Sequence, residues 1–174
     1  MTRRTKVRVL VCSLGMFLLG AWSPAAEATT WNIVFEPDFL QPLALVGVGD
    51  VDGDGVSDLI WRHPATGETL IALTQPDEMF PLSSITPIHV ATIPDLDWEI
   101  AGVGDLNGDR REDLVWVNRT TQRIAIWIMK GTAIDHSYLL DSLLPVPPAG
   151  HRWKLLAVKD ISGNGEADIV WALD

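Results

Sequence analysis

The sequence predicts an all-β protein built from a unit that repeats every 55 residues. The segment Gly47–Trp61 recurs as Gly102–Trp116 and, more loosely, as Ala157–Trp171. A fixed period of this size is typical of architectures that stack one supersecondary unit several times. Short runs of β-branched and aromatic residues, bounded by Gly, Pro, Asn and Asp, favour strands throughout, and no long amphipathic helical pattern interrupts them.

Each complete unit contains four predicted strands. In the first unit they are Leu43–Gly49, Asp58–His63, Glu68–Gln75 and, approximately, Thr86–Ile93. In the second unit they are Trp98–Gly104, Asp113–Asn118, Arg123–Lys130 and a weaker strand near Ser137–Leu143. Proline-rich stretches at Pro76–Pro87 and Pro145–Pro148 predict loops, because proline cannot donate a hydrogen bond to a strand ladder.

The units cover approximately residues 43–97, 98–152 and 153–174. The third unit has two predicted strands, and Trp31–Phe35 is predicted to be a leftover fourth strand of another unit. The pattern therefore supplies about two full four-stranded units together with partial ones. Open apolar faces and unpaired strand edges favour association with further copies of the chain. The alternative is an open array of marginal stability.

An acidic loop joins the first two strands of every unit and predicts a cation site. Short oxygen side chains recur at loop positions 1, 3, 5 and 9, and a main-chain carbonyl at position 7 completes the set. The candidate ligands are Asp50, Asp52, Asp54, Val56 and Asp58; Asp105, Asn107, Asp109, Arg111 and Asp113; and Asp160, Ser162, Asn164, Glu166 and Asp168. Hard oxygen ligands in a flexible, crowded arrangement suit Ca²⁺ better than Mg²⁺, which prefers a strict octahedron.

Neither a plain hairpin turn nor an EF-hand accounts for the acidic loops. Ordinary hairpin turns explain Asp-Gly and Asn-Gly pairs, but not four carboxylates within nine residues of the first loop, which repel one another unless a cation lies between them. An EF-hand loop requires a bidentate Glu at position 12 followed by a helix. Position 12 here is Trp61, Trp116 or Trp171, within a predicted strand, and an EF-hand is therefore rejected.

The loops and their flanking strands resemble FG-GAP/VCBS-type repeats, the calcium-loop blades of integrin-alpha-like β-propellers. The residues that carry the resemblance follow the pattern D-x-[DN]-G-D-G-x-x-D-[LI]-[IV]-W, and the match runs from about Leu43 to the C-terminus. The resemblance implies four-stranded propeller-type blades, in an incomplete set, with Ca²⁺ in the hairpin between the first two strands. Two departures stand out: Arg110 replaces the glycine at position 6, where a positive φ is expected, and the third loop keeps only two carboxylates, Asp160 and Asp168.

Residues 1–28 are predicted to be a signal peptide, and residues 29–174 the repeat domain. Four basic residues precede the apolar stretch Val9–Trp22, and Ala26-Glu27-Ala28 supplies the small residues of a cleavage site. The stretch is short for a membrane span, so an uncleaved anchor is the less favoured alternative. We expect a secreted, periplasmic or cell-surface protein. Its sequence beyond Ala28 has no cysteine, since the single Cys12 lies within the apolar stretch.

The charge of the repeat domain argues against two classes of partner. Residues 1–28 hold four of the 13 basic residues and one of the 23 acidic ones, which leaves 9 basic, 22 acidic and a net charge of −13 for residues 29–174. An acidic surface argues against nucleic acid and anionic membranes as partners. The expected ligand is a protein or a glycan.

The remaining residues favour binding over catalysis. Trp61, Trp116 and Trp171 recur in phase, and periodic apolar residues usually form core, whereas Trp31 is outside the pattern. The four histidines do not recur in phase and have no evident nucleophile partner. We therefore expect a non-enzymatic calcium-binding module for binding or adhesion. The alternatives are a non-catalytic piece of a secreted polysaccharide-active enzyme and a structural remnant without a ligand.

Overall fold

The computed structural model describes residues 42–75, 86–140 and 148–174, and in these the protein is all-β, as predicted. The described residues contain no helix, and hence none long and apolar enough to cross a membrane. The ten strands are β1 (Ala44–Gly49), β2 (Asp58–Arg62), β3 (Glu68–Ala72), β4 (Ile88–Thr92), β5 (Trp98–Gly104), β6 (Asp113–Asn118), β7 (Ile124–Lys130), β8 (Ala133–Leu140), β9 (Trp153–Lys159) and β10 (Asp168–Leu173). The predicted signal peptide, the Trp31–Phe35 strand and most of the two proline-rich loops lie outside the described residues.

The strands form two four-stranded antiparallel sheets and one hairpin. In the first sheet, β1 to β4 pair in chain order, and in the second sheet β5 to β8 do the same. Strands β9 and β10 pair as a two-stranded hairpin. Neighbours in sequence are neighbours in space, which is the simplest topology for short connections. Among the described strands no sheet closes on itself.

Two predicted strand boundaries were wrong by three residues or more. Strand β3 ends at Ala72 rather than Gln75, because the Thr74 N–H donates to the Asp58 carboxylate instead of continuing the ladder. Strand β8 begins at Ala133, several residues before the predicted start near Ser137. The cause is a tight turn after Lys130, in which Gly131 adopts a positive φ of 63° that glycine tolerates without strain.

The first strands of the three units lie side by side and pack closely through a repeated contact. Strand β5 lies against both β1 and β9. A Cβ built on Gly49 would lie 2.6 Å from the Val103 side chain, and one built on Gly104 would lie 2.7 Å from Val158. Any larger residue at either glycine would force the neighbouring strands apart, which is why the sheets require glycine there.

The main core fills the space between the first and second sheets. Every residue of β2 and of β6 is buried. Trp116 is fully buried, with its ring 4.6 Å from that of Trp127 and the Arg62 guanidinium 5.0 Å above it. Trp61 is 5% exposed and belongs to a smaller cluster with Leu59. The expectation that Trp61 and Trp116 are core residues is confirmed, whereas Trp171 in the hairpin is only partly buried.

Candidate metal centre

Each acidic loop connects two antiparallel strands at the same end of its sheet. The loops join β1 to β2, β5 to β6 and β9 to β10. Position 1 directly follows the first strand, and position 9 is the first residue of the second strand: Asp58 in β2, Asp113 in β6 and Asp168 in β10. The strands thus hold the two ends of every loop at a fixed separation.

The position-1 carboxylate organises the backbone of its own loop. Asp50 accepts hydrogen bonds from the N–H groups of Gly53 at 2.6 Å, Asp54 at 3.2 Å and Gly55 at 2.8 Å. Asp105 and Asp160 accept the corresponding three bonds in their loops. For Asp160 these bonds, led by that from Gly165, lower the pKa of the carboxyl below its usual value, because they stabilise the ionised form.

The curl of the loop needs a positive φ at positions 4 and 6. Gly53 and Gly55 have φ values of 82° and 87°, and glycine bears these at little cost. Arg110 occupies position 6 of the second loop with a φ of 68°. The expectation of a left-handed backbone conformation at position 6 is confirmed. A non-glycine residue in this conformation costs about 1–3 kcal/mol of folding free energy.

The position-9 carboxylates have a second role that the loop pattern alone does not reveal. Asp58 is fully buried and accepts hydrogen bonds from the N–H groups of Val51 at 3.0 Å and Thr74 at 2.8 Å. Asp113 repeats this arrangement, with bonds from Leu106 and Met129 of 2.9 Å each. Each carboxylate therefore ties its loop to the end of the third strand. Both donors, 16 residues after their aspartates, are backbone N–H groups of a threonine and a methionine, so no residue type in the sequence marks these bonds.

Burial disfavours the ionised form of the two position-9 carboxylates, Asp58 and Asp113. It raises the pKa of both Asp58 and Asp113 from 3.8 to about 6, against the opposing effect of their backbone hydrogen bonds. Burial, together with the charges of Asp54 and Asp50, also raises the pKa of Asp52. Desolvated carboxylates that repel one another are stabilised by a bound cation, which restores their ionised forms.

Three carboxylates of the first loop converge on one point. Oxygen atoms of Asp50, Asp52 and Asp58 all lie within 4.8 Å of one another. Asp54 is exposed and outside this group, and its Oδ1 accepts the Val56 N–H at 2.7 Å. Three hard oxygen donors in a partly buried pocket fit a divalent cation, and on these contacts alone they do not distinguish Ca²⁺ from other hard cations.

The second and third loops keep the backbone of the first and change its donors. Asn107 takes the place of Asp52, and its amide oxygen accepts the Asp109 N–H at 3.0 Å. Asp109 accepts the Arg111 N–H at 2.8 Å and lies 3.7 Å from its guanidinium. In the third loop all the predicted ligands from Asp160 to Glu166 are exposed. Two of the predicted metal ligands of this loop accept hydrogen bonds from its own backbone. Asn164 accepts the Glu166 N–H, and Asp168 accepts the N–H groups of Ile161 and Ser162.

Neighbouring loops are also joined to one another. The N–H of Glu112 donates to the Asp50 carbonyl at 2.7 Å, while the Glu112 carboxylate accepts the Asp50 N–H at 2.9 Å. Arg111 reaches back to the Asp52 carbonyl at 3.2 Å. Between the second and third loops the Ala167 N–H donates to the Asp105 carbonyl, as the Glu112 N–H does to Asp50. Alanine has no carboxylate, so it cannot repeat the side-chain bond that Glu112 makes. The second loop therefore supports the first more firmly than the third supports the second.

No protein-family model, curated protein or solved structure matches the chain. The proposed function accordingly rests on the residues and geometry described above.

Proposed function

We propose that the protein is a calcium-stabilised repeat module of the FG-GAP/VCBS type, which acts in binding or adhesion rather than in catalysis. The observation that carries the proposal is the convergence of the Asp50, Asp52 and Asp58 oxygens within 4.8 Å at the tip of the first hairpin. Similar loops with fewer carboxylates occur at the other two hairpins. Ca²⁺ is the cation best suited to such flexible, oxygen-rich loops in an exported protein.

In this proposal calcium has a structural role. The cation neutralises carboxylates that otherwise repel one another, and it fixes the hairpin that connects the first two strands of each unit. Because Asp58 also bonds the end of β3 through Thr74, ordering of the loop extends to a third strand. The net charge of −10 for the whole chain makes such neutralisation favourable for the compact state.

We propose further that the sheets are propeller-type blades. Two features support this: each four-stranded sheet is a simple antiparallel meander, and the first strands β1, β5 and β9 lie next to one another, as the inner strands of neighbouring blades do. Closed propellers typically have four to eight blades, which is more than the two sheets and one hairpin of the described residues.

Calcium is expected to bind with an affinity graded by loop charge, tightest at the Asp50 loop, weaker at the Asp105 loop and weakest or absent at the Asp160 loop. Extracellular calcium modules have Kd values of roughly 10⁻⁴–10⁻³ M. At about ten times Kd each filled site adds about 1.4 kcal/mol to the free energy of unfolding. Isothermal titration calorimetry on the exported chain, with Mg²⁺ as the competing cation, measures the number of sites and their order.

The matched variants for this titration are Asp52→Ala and Ser162→Ala, which remove the position-3 donor of the first and third loops. Asp52→Ala should weaken the tightest site by roughly tenfold or more, since it removes one of three converging carboxylates. Ser162→Ala should leave that site unchanged. Absence of calcium binding at millimolar concentration would refute the proposed function.

We propose that residues 1–28 are cleaved during export, so that the mature protein begins at Thr29 outside the cytoplasm. The basic residues, the apolar stretch and the small residues before Thr29 support this assignment. Intact-mass spectrometry of the protein from the extracellular or periplasmic fraction should give an N-terminus at Thr29 or within a few residues of it. A full-length product in the cytosol would contradict the assignment.

A further inference from the structure

The second acidic loop holds the backbone of the first. Glu112 forms two hydrogen bonds with Asp50: its N–H donates to the Asp50 carbonyl at 2.7 Å, and its carboxylate accepts the Asp50 N–H at 2.9 Å. The Arg111 Nε–H donates to the Asp52 carbonyl at 3.2 Å. Asp50 and Asp52 carry two of the three converging carboxylates of the first loop. The second loop therefore fixes main-chain atoms of two candidate cation ligands that belong to another unit.

Gly49 leaves the room that the Glu112 contact needs. A Cβ built on Gly49 would collide with the Glu112 carboxylate. Glu112 is half-buried and lies at loop position 8, where the cation pattern assigns no ligand. The bond to the Asp50 N–H accounts for a half-buried carboxylate that is not itself a predicted ligand.

The third loop does not repeat this contact with the second. Ala167 occupies the position of Glu112, and Gly104 occupies that of Gly49. A cavity of about 310 Å³ lies there, with Gly104, Asp105 and Ala167 among its lining residues. At the corresponding place between the first and second loops, the Glu112 carboxylate lies against Gly49. Any coupling that runs through this carboxylate joins the first two loops and leaves out the third.

Arg111 and Glu112 are also linked to the cation ligands of their own loop. Both directly precede Asp113, which is fully buried at position 9. The Arg111 N–H donates to Asp109 at 2.8 Å, and the Arg111 carbonyl is the candidate ligand at position 7. A cation in the second loop would therefore order Arg111 and Glu112 together with the loop. Residues that one ligand has ordered need not be ordered again when a second ligand binds, which gives positive cooperativity.

We propose that Glu112 is a positioning residue that couples the cation sites of the first two loops, so that a cation in either loop raises the affinity of the other about fivefold. Coupling between two binding sites is reciprocal. It is expected to be small here, because it passes through three hydrogen bonds of exposed or half-buried groups. The coupling rests on the proposed function, whereas the hold of Glu112 on Asp50 does not.

The test is a calcium titration of the exported chain followed by NMR, in which the amide signals of Gly55 and Gly108 report the first and second loops separately. Asn107→Ala removes the position-3 donor of the second loop and should weaken binding at the first loop about fivefold while Glu112 is present. In the Glu112→Ala background the same change should leave the first loop unaffected. Glu112→Gln is the matched control: it removes the charge but keeps an oxygen that can accept the Asp50 N–H, so it should retain most of the coupling.

Hydrogen exchange in chelator tests the positioning role without the cation. The Gly55 N–H donates to the Asp50 carboxylate at 2.8 Å. It should exchange roughly tenfold faster in Glu112→Ala than in wild type or Glu112→Gln, because Asp50 is then no longer held from the second loop. The Gly108 N–H, which donates to Asp105 within the second loop, is the internal control and should exchange at the same rate in all three proteins.

The coupling is overturned if wild type and Asn107→Ala bind calcium equally at the first loop. It is also overturned by an equal loss of coupling in Glu112→Ala and Glu112→Gln, which would assign the effect to charge. Equal exchange of the Gly55 N–H in wild type and Glu112→Ala would overturn the positioning role. Calcium binding without coupling would leave the proposed function standing, whereas a wild type that takes up no calcium would refute the proposed function and the coupling together.

Discussion

Asp58→Ala is expected to abolish cation binding at the first loop and to lower the free energy of unfolding by about 3 kcal/mol even in chelator. The reason is that the carboxylate serves two functions from a fully buried position. It belongs to the converging cluster with Asp50 and Asp52, and it accepts the N–H groups of Val51 and Thr74. Alanine removes a ligand and leaves two donors without an acceptor, each at a cost of about 1–3 kcal/mol.

The control for this variant is Asp54→Ala in the same loop. Asp54 is exposed, lies outside the converging cluster and accepts only local N–H groups such as that of Val56. Its loss should change stability in chelator by about 0.5 kcal/mol or less, as surface substitutions usually do. Urea unfolding of both variants, in chelator and in millimolar calcium, separates the two roles. Equal stability of Asp58→Ala and wild type in chelator would disprove the structural role of the buried carboxylate.

The sequence predicted the strands well because their signals are local. Runs such as Asp58–Arg62 and Asp113–Asn118 combine β-branched and aromatic residues, and loops with Asp, Asn and Gly end them. The shape of the acidic loops was also predictable, since alternating short oxygen side chains and glycines at fixed positions permit few backbone conformations. Even the unusual φ of Arg110 followed from its position in the loop.

Features that depend on contacts between strands were not predictable from one unit. The double role of Asp58 involves Thr74, and the sequence pattern of the loop itself does not include that residue. The start of β8 was misplaced because the positive φ of Gly131 lets the chain turn back directly after Lys130, and a lone glycine in the sequence does not show where the next strand begins.

In chelator the protein is expected to melt at a higher temperature near pH 5 than near pH 7.5. Burial raises the pKa of Asp58 and Asp113 to about 6 in the folded state, from 3.8 in the unfolded state. Between these values the native protein holds more protons than the unfolded chain, so its stability falls as the pH rises through this window. The raised pKa of Asp52 acts in the same direction, whereas the lowered pKa of Asp160 affects stability only near and below its usual pKa.

Calcium should reduce or reverse this dependence, because it binds the ionised carboxylates and competes with protons at low pH. Its stabilising effect is therefore largest near pH 7.5 and small near pH 5. Differential scanning calorimetry at both pH values, with and without calcium, measures the four melting temperatures. Asp58→Asn removes one of the two carboxyls whose pKa is raised to about 6, and should roughly halve the pH dependence that these two contribute in chelator. A melting temperature in chelator that rises from pH 5 to pH 7.5 would show that the buried aspartates are not the groups that govern stability in this range.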